Sequence, residues 1–362
     1  MSGRRLGLGL LALLALAAAS DRWIIFQGQV NGPVTRPFKI DVETFRHHQF
    51  PGLFWAEVYY HHFNCPDGSM LTVQITFDPR KATVAFVYDT PTIEPFTDYV
   101  IVDYDHAVFD QKGFGITLDK NRFWLEGDQY HLHLELSKTT ADITYQIRSA
   151  SYSYGDSMLR YPDGKSFVKY TLPITWATAR ADLVLDGKKA HLDGYADLNH
   201  DSGVVFPTNI PSNWQVFWFF GEDHALAVTD FIANKAFGEV PVQRLVFVDQ
   251  SGRQFTSTRF AMNWDDWIKA KDIPFRYPRH YTLSAEGGGG RLEAEVRVHE
   301  TLLREDLYSN LPTALRIIAK YWTRNYWTYD AWCDYELSYT EQGQTRKYQG
   351  RGIARWTHLE EE

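Results

Sequence analysis

The sequence predicts an all-β fold of antiparallel meanders that close into barrels or sandwiches, with one C-terminal amphipathic helix laid against a barrel. Three observations predict it. Apolar and polar residues alternate with a period of two along nearly the whole chain. The alternating runs are short and punctuated by Asp-Gly and Gly-rich turns, the spacing of hairpins. Only one segment carries apolar residues at helical spacing.

Taken in order, the chain opens on a predicted signal peptide over residues 1–20. Arg4 and Arg5 form a basic head, Leu6 to Leu16 an apolar stretch, and Ala17-Ala18-Ala19 a small-residue cleavage site. Asp21 and Arg22 follow too soon for a comfortable membrane span. Secretion or periplasmic export is the expectation, with tethering by an uncleaved N-terminal segment as the alternative. No other run approaches the ~20 apolar residues of a membrane helix, so no integral membrane segment is expected after signal cleavage.

Past the turn Pro66-Asp67-Gly68, Leu71, Val73, Ile75 and Phe77 alternate with Thr72, Gln74 and Thr76. Asp103-Tyr104-Asp105-His106 reads as a solvated acidic loop. Tyr130, Leu132, Leu134 and Leu136 then alternate with His131, His133 and Glu135, bounded by Gly127-Asp128. Turns follow at Asp163-Gly164, Asp186-Gly187 and Ser251-Gly252, and a hairpin tip at Gly287 to Gly290. Leu292, Ala294, Val296 and Val298 make a further one-sided strand. Ser309-Asn310-Leu311-Pro312 supplies a cap and a first-turn proline, and Leu315, Ile318, Ala319 and Trp322 share a helical face. The loop from Val204 to Asn213, with Pro207 and Pro211, divides the chain into halves over 21–212 and 213–362.

A net charge of −8 with scattered basic residues argues against nucleic acid or an anionic membrane surface as partner. Aromatic residues make up 15% of the chain, 12 of them Trp, which suits either a thick barrel core or an apolar ligand pocket. Cys65 and Cys333 lie one in each half; a disulfide between them and two buried free thiols both remain open.

The densest chemistry sits at Asp193-Gly194-Tyr195-Ala196-Asp197-Leu198-Asn199-His200-Asp201, shortly before the aromatic run Trp214 to Phe220. A carboxylic acid held out of water there keeps its proton toward neutrality and can donate it. Loop carboxylates capping turns beside an exposed His200 would give the same composition. Asp230, after the apolar strand Ala225 to Val228, is a second candidate acid, or a strand-end turn residue. His131, His133 and Glu135 share a strand face, but metal sites usually draw ligands from several elements. The paired histidines His47-His48 and His61-His62 point to opposite faces if they lie on strands. No metal and no cofactor is expected: nucleophile elbow, phosphate loop, HExxH and dinucleotide fingerprint are all missing from the sequence.

Gly194-Tyr195-Ala196-Asp197-Leu198-Asn199 resembles the Gly-Tyr-x-Asp-His-Asn-Trp-Gly motif of the hydroxyneurosporene synthase (carotenoid 1,2-hydratase) and AttH-like proteins. Asn64 to Met70, Phe114 to Tyr130 and Tyr348 to Gly352 are loosely similar to other parts of that superfamily. The resemblance implies two lipocalin-like (calycin) β-barrels, a fold shared with tocopherol cyclase-like proteins, fungal Diels–Alderases and the survival-factor family. Leu198, His200 and Asp201 stand where the family has His, Trp and Gly, so the resemblance implies a shared pocket with changed chemistry. The expected function is a cofactor-independent cyclase, isomerase or hydratase acting on a hydrophobic terpenoid or polyene in a barrel pocket. Asp197 or Asp230 would donate the proton, Asn199 and His200 would orient substrate or water, and Tyr195, Trp214, Trp218 and Phe220 would bind the substrate. The alternative is a non-enzymatic carrier of lipids or apolar small molecules in the cell envelope.

Overall fold

The computed structural model describes residues 39–50, 55–91, 93–110, 112–204, 213–233, 239–269, 276–306 and 326–359. The expected signal segment (1–20) and helix (309–322) lie outside the described residues. What is described is almost all strand, with 3-10 turns at Val42–Thr44 and Tyr104–His106.

A first sheet holds β1 (Trp55–Asn64), β2 (Met70–Phe77), β3 (Lys81–Thr90), β4 (Ile93–Asp103), β5 (Ala107–Phe109), β6 (Gly115–Leu118), β7 (Asn121–Glu126), β8 (Gln129–Glu135), β9 (Thr139–Ile147), β10 (Tyr152–Arg160), β11 (Phe167–Leu185) and β12 (Lys188–Val204). A second holds β13 (Asn213–Phe220), β14 (His224–Ile232), β15 (Pro241–Asp249), β16 (Gln254–Ser257), β17 (Ala261–Lys269), β18 (Arg276–Gly287), β19 (Gly290–Asp306), β20 (Tyr326–Glu341) and β21 (Gln344–Leu359). The strand order is β4-β3-β2-β1-β12-β11-β9-β8-β7-β6-β5 in the first, with β10 on β11, and β16-β15-β14-β13-β21-β20-β19-β18-β17 in the second.

Both orders obey one rule. The first strand pairs with the second and with the last, and the two edge strands are consecutive in the chain. A meander closed in this way curls until its edges approach, which limits the exposure of unpaired backbone. One sheet is a nearly closed barrel and the other a half-barrel.

Alternation divides the apolar residues into three cores. Tyr59, Phe63, Val73, Leu132 and Leu198 fill the inside of the first sheet. Phe217, Phe219, Leu226, Tyr335 and Leu337 fill the inside of the second. Met70, Tyr154, Trp176, Trp218, Phe220, Val246 and Trp332 pack between the two. Each large side chain so buried contributes roughly 1.5–3 kcal/mol. The sheets are also tied by polar contacts, for example Trp176 Nε1–H donating to the Gly221 carbonyl at 3.2 Å. Cys65 and Cys333 are both buried free thiols, which decides the open question of a disulfide.

Candidate functional site

The motif strand β12 runs between β1 and β11, so its pleat sorts its residues onto two sides. Ala196, Leu198 and His200 face the interior of the first sheet; Asp197, Asn199 and Asp201 face the second sheet. Gly194 permits the approach: a Cβ there would lie 2.2 Å from the Asn64 carbonyl oxygen and 2.6 Å from the Phe63 ring. The polar cluster therefore serves two separate compartments.

Between the sheets, Asp197 is completely buried. His62, its cross-strand partner on β1, places Nδ1 2.8 Å from Asp197 Oδ1, and Asn199 Nδ2–H donates to Oδ2 at 2.8 Å. Burial raises the Asp197 carboxyl above its ordinary range, against the pull of His62 and Asn199. The His62 ring packs 4.0 Å from Trp218, and its Nε2 is buried with no hydrogen-bond partner. Around this pair lie two cation–carboxylate pairs. Arg355 makes a two-pronged contact with the buried Asp330, at 2.7 Å on each side, and sits 5.1 Å from the Trp218 ring centre. Arg244 lies 3.6 Å from Asp201 and 4.3 Å from the centre of the Tyr170 ring. Burial also raises the Asp201 carboxyl, which Arg244 opposes.

Inside the first sheet, His200 stacks on Tyr59 at 4.1 Å and bridges Thr44 O and Glu57 Oε1, each at 2.7 Å. Inside the second sheet, Asp230 stands in one cross-strand row with Gln215 and Gln243. Burial pushes its carboxyl up to about 6, and Oδ1 has no hydrogen-bond partner. The expected residues thus occupy three compartments. Asp197, Asn199, Trp218 and Phe220 face the intersheet layer, joined at its margin by Trp214. Asp230 and His200 do not reach that layer, so His200 cannot orient a substrate together with Asn199. Tyr195, on the same face as Asp197, borders a surface cleft of about 580 Å³ with Arg148, Arg180 and Asp193.

Arg355 already places a cation against the Trp218 ring. The His131, His133 and Glu135 face is wet as the alternation implied; His131 stacks on Trp124 at 4.8 Å and His133 pairs with Asp142 at 2.7 Å. Asp103, Asp105 and His106 are exposed. Sequence reasoning missed His62, Arg244, Arg355 and Glu57. The available signal for His62 was its strand: in Trp55–Asn64 both faces carry large or aromatic residues, so a histidine on either face is buried.

No protein-family profile and no curated protein matches the chain. Solved structures do. An AttH-like protein of Nitrosomonas europaea superposes with a TM-score of 0.60 at 15% identity, over 91% of this chain and 100% of the other. CghA, in its complex with Sch210972, gives 0.59 at 12% identity, over 93% and 98%. Kievitone hydratase of Nectria haematococca gives 0.53 at 12% identity, over 92% and 97%. The chain has the double lipocalin-like fold. Identities this low speak for the fold alone. Within the double lipocalin-like fold, Asp197 and His62 lie where the outer face of the first sheet meets the second.

Proposed function

We propose that the protein is a cofactor-independent cyclase, isomerase or hydratase that protonates a hydrophobic terpenoid or polyene between its two sheets. The observation that carries this reading is the buried Asp197–His62 pair, with His62 Nε2 left unpartnered beside Trp218. When the pair holds two protons, they are distributed either as a carboxylic acid with neutral imidazole or as a carboxylate with imidazolium. In both arrangements Nε2 carries an N–H. Transfer of that proton to a substrate carbon leaves an Asp197 carboxylate bonded to His62 Nδ1–H, a fixed negative charge close to the cation formed. Asn199 holds the carboxylate in place during the transfer. Because Arg355 engages Trp218, charge stabilisation falls to this carboxylate more than to the tryptophan ring. Water then captures the cation in a hydratase, or an internal double bond captures it in a cyclase. The name of kievitone hydratase and the ligand held by CghA are compatible with such chemistry on this fold.

The test begins with solvent extraction of the purified protein and mass spectrometry of the extract, which supplies a candidate substrate. Asp197→Asn is expected to bind that molecule while losing turnover by about 10²–10⁴-fold, the usual contribution of a positioned acid. Binding without product in the wild type would instead identify a carrier.

A further inference from the structure

A second polar cluster lies inside the first sheet, on the other side of β12 from Asp197, and the proposed reaction does not use it. Its centre is Glu57, completely buried on β1. His200 Nε2 lies 2.7 Å from Glu57 Oε1, the His48 backbone N–H donates to the same oxygen at 2.7 Å, and His47 Nδ1 contacts Oε2. His48 Nδ1 is 3.6 Å from Oε1 and buried without a hydrogen-bond partner. The donor atoms of His48, Glu57 and His200 all lie within 4.8 Å of one another.

His200 Nδ1 faces the Thr44 carbonyl oxygen at 2.7 Å, which can only accept, so Nδ1 carries the hydrogen. A neutral His200 would then turn the Nε2 lone pair against a carboxylate oxygen. A positive charge belongs between them. A proton on Nε2 would satisfy Glu57 and His200 but leave His48 Nδ1 idle; a metal ion engages all three.

We propose that His48 Nδ1, the Glu57 carboxylate and His200 Nε2 form a binding site for a divalent transition-metal ion of the zinc type. The ligands come from three separate elements, the 39–50 segment, β1 and β12, as real sites usually require. Nitrogen and carboxylate donors favour zinc-like ions over magnesium or calcium. The outer contacts also fit, since His200 donates its other N–H to a backbone carbonyl, an arrangement usual among metal-binding histidines. Ligand atoms around a tetrahedral zinc stand about 3.3 Å apart. The His48–Glu57 separation of 3.6 Å matches, and the His200–Glu57 separation of 2.7 Å must open on binding. Lys169 Nζ lies 2.7 Å from His48 Nε2 and must swing away so that Nε2 carries the hydrogen while Nδ1 binds the metal. His47 Nε2 is 2.6 Å from Tyr104 OH, so its Nδ1 remains available to the second carboxylate oxygen. A bound ion would fasten the 39–50 segment across the end of the first sheet.

The test titrates the full chain, stripped with a chelator, with Co²⁺ followed by its visible absorption, and then displaces it with Zn²⁺. One tetrahedral Co²⁺ per chain is expected, with a rise in Tm. Glu57→Gln should abolish binding. His48→Ala, at the margin of the cluster, should fold and weaken binding by more than about tenfold. His106→Ala, in the exposed Asp103–Asp105–His106 group, should leave binding unchanged. Failure to bind Co²⁺ stoichiometrically, binding indifferent to His48→Ala, or binding lost in His106→Ala would each overturn the proposal.

Discussion

At Asp230 and Glu57, burial acts on two carboxyls with opposite results, because their neighbours differ. Burial alone would raise Glu57, but hydrogen bonds from His200, His47 and His48 overcome it and hold the group well below its ordinary range. Asp230 has amide neighbours in its cross-strand row, so burial prevails and pushes the carboxyl up to about 6. A folded-state value above the unfolded one means that the native state binds the extra proton. Stability is therefore present below the unfolded value and is lost as pH rises through about 6. Asp230→Asn should remove this slope, raising stability above pH 7 by up to about 3 kcal/mol and changing it little near pH 4. Thermal melts of both proteins across that range check it. A parallel pair of curves would show that Asp230 is not the titrating group.

Asp197 belongs to the same class of raised carboxyls, but its partner His62 gives the proton somewhere to go. The residue types at this site were legible in the sequence; their grouping was not. Asp, Asn and Gly favour turns, so the composition from Asp193 to Asp201 leaves a capped loop open beside a polar site that groups Asp197, Asn199 and His200. In a strand, adjacent residues are driven to opposite faces. Asp197 and Asn199 go one way, Leu198 and His200 the other.

At the scale of elements, that strand survives its poor propensity because from Ala196 to Gly203 both of its faces are largely buried and both of its edges are paired. Its two close approaches need glycine: a Cβ at Gly203 would lie 2.2 Å from the Phe167 carbonyl oxygen, as one at Gly194 would from that of Asn64. Gly194→Ala should cost about 1–3 kcal/mol through overpacking, measured by denaturant unfolding. One-sided strands such as β2, β8 and β19 were legible because water on one face enforces the period of two. Strands β13 and β14 were legible only as apolar runs, since burial on both faces erases the alternation. That is why the direction of Asp230, into the second sheet and away from Trp218, could not be read.

For the whole molecule, hairpin spacing predicted barrels, while the closure rule that both sheets share depends on pairing between β1 and β12 and between β13 and β21. Those partners are far apart in sequence, and no local signal reports them. The layer between the sheets makes them one unit. Trp176 is buried within it and donates across it to Gly221. Trp176→Ala should cost about 3–5 kcal/mol and lower one shared unfolding transition. Two transitions, only one of them displaced, would mean that the sheets unfold independently.

The measurement closest to the central claim is turnover of the extracted ligand in D₂O by wild type and Asp197→Asn, with product deuteration read by mass spectrometry. Proton donation by the Asp197–His62 pair predicts one solvent-derived deuterium at carbon in the wild-type product, and loss of product in Asp197→Asn despite retained binding. Undiminished turnover in Asp197→Asn, or a product without deuterium, would contradict it.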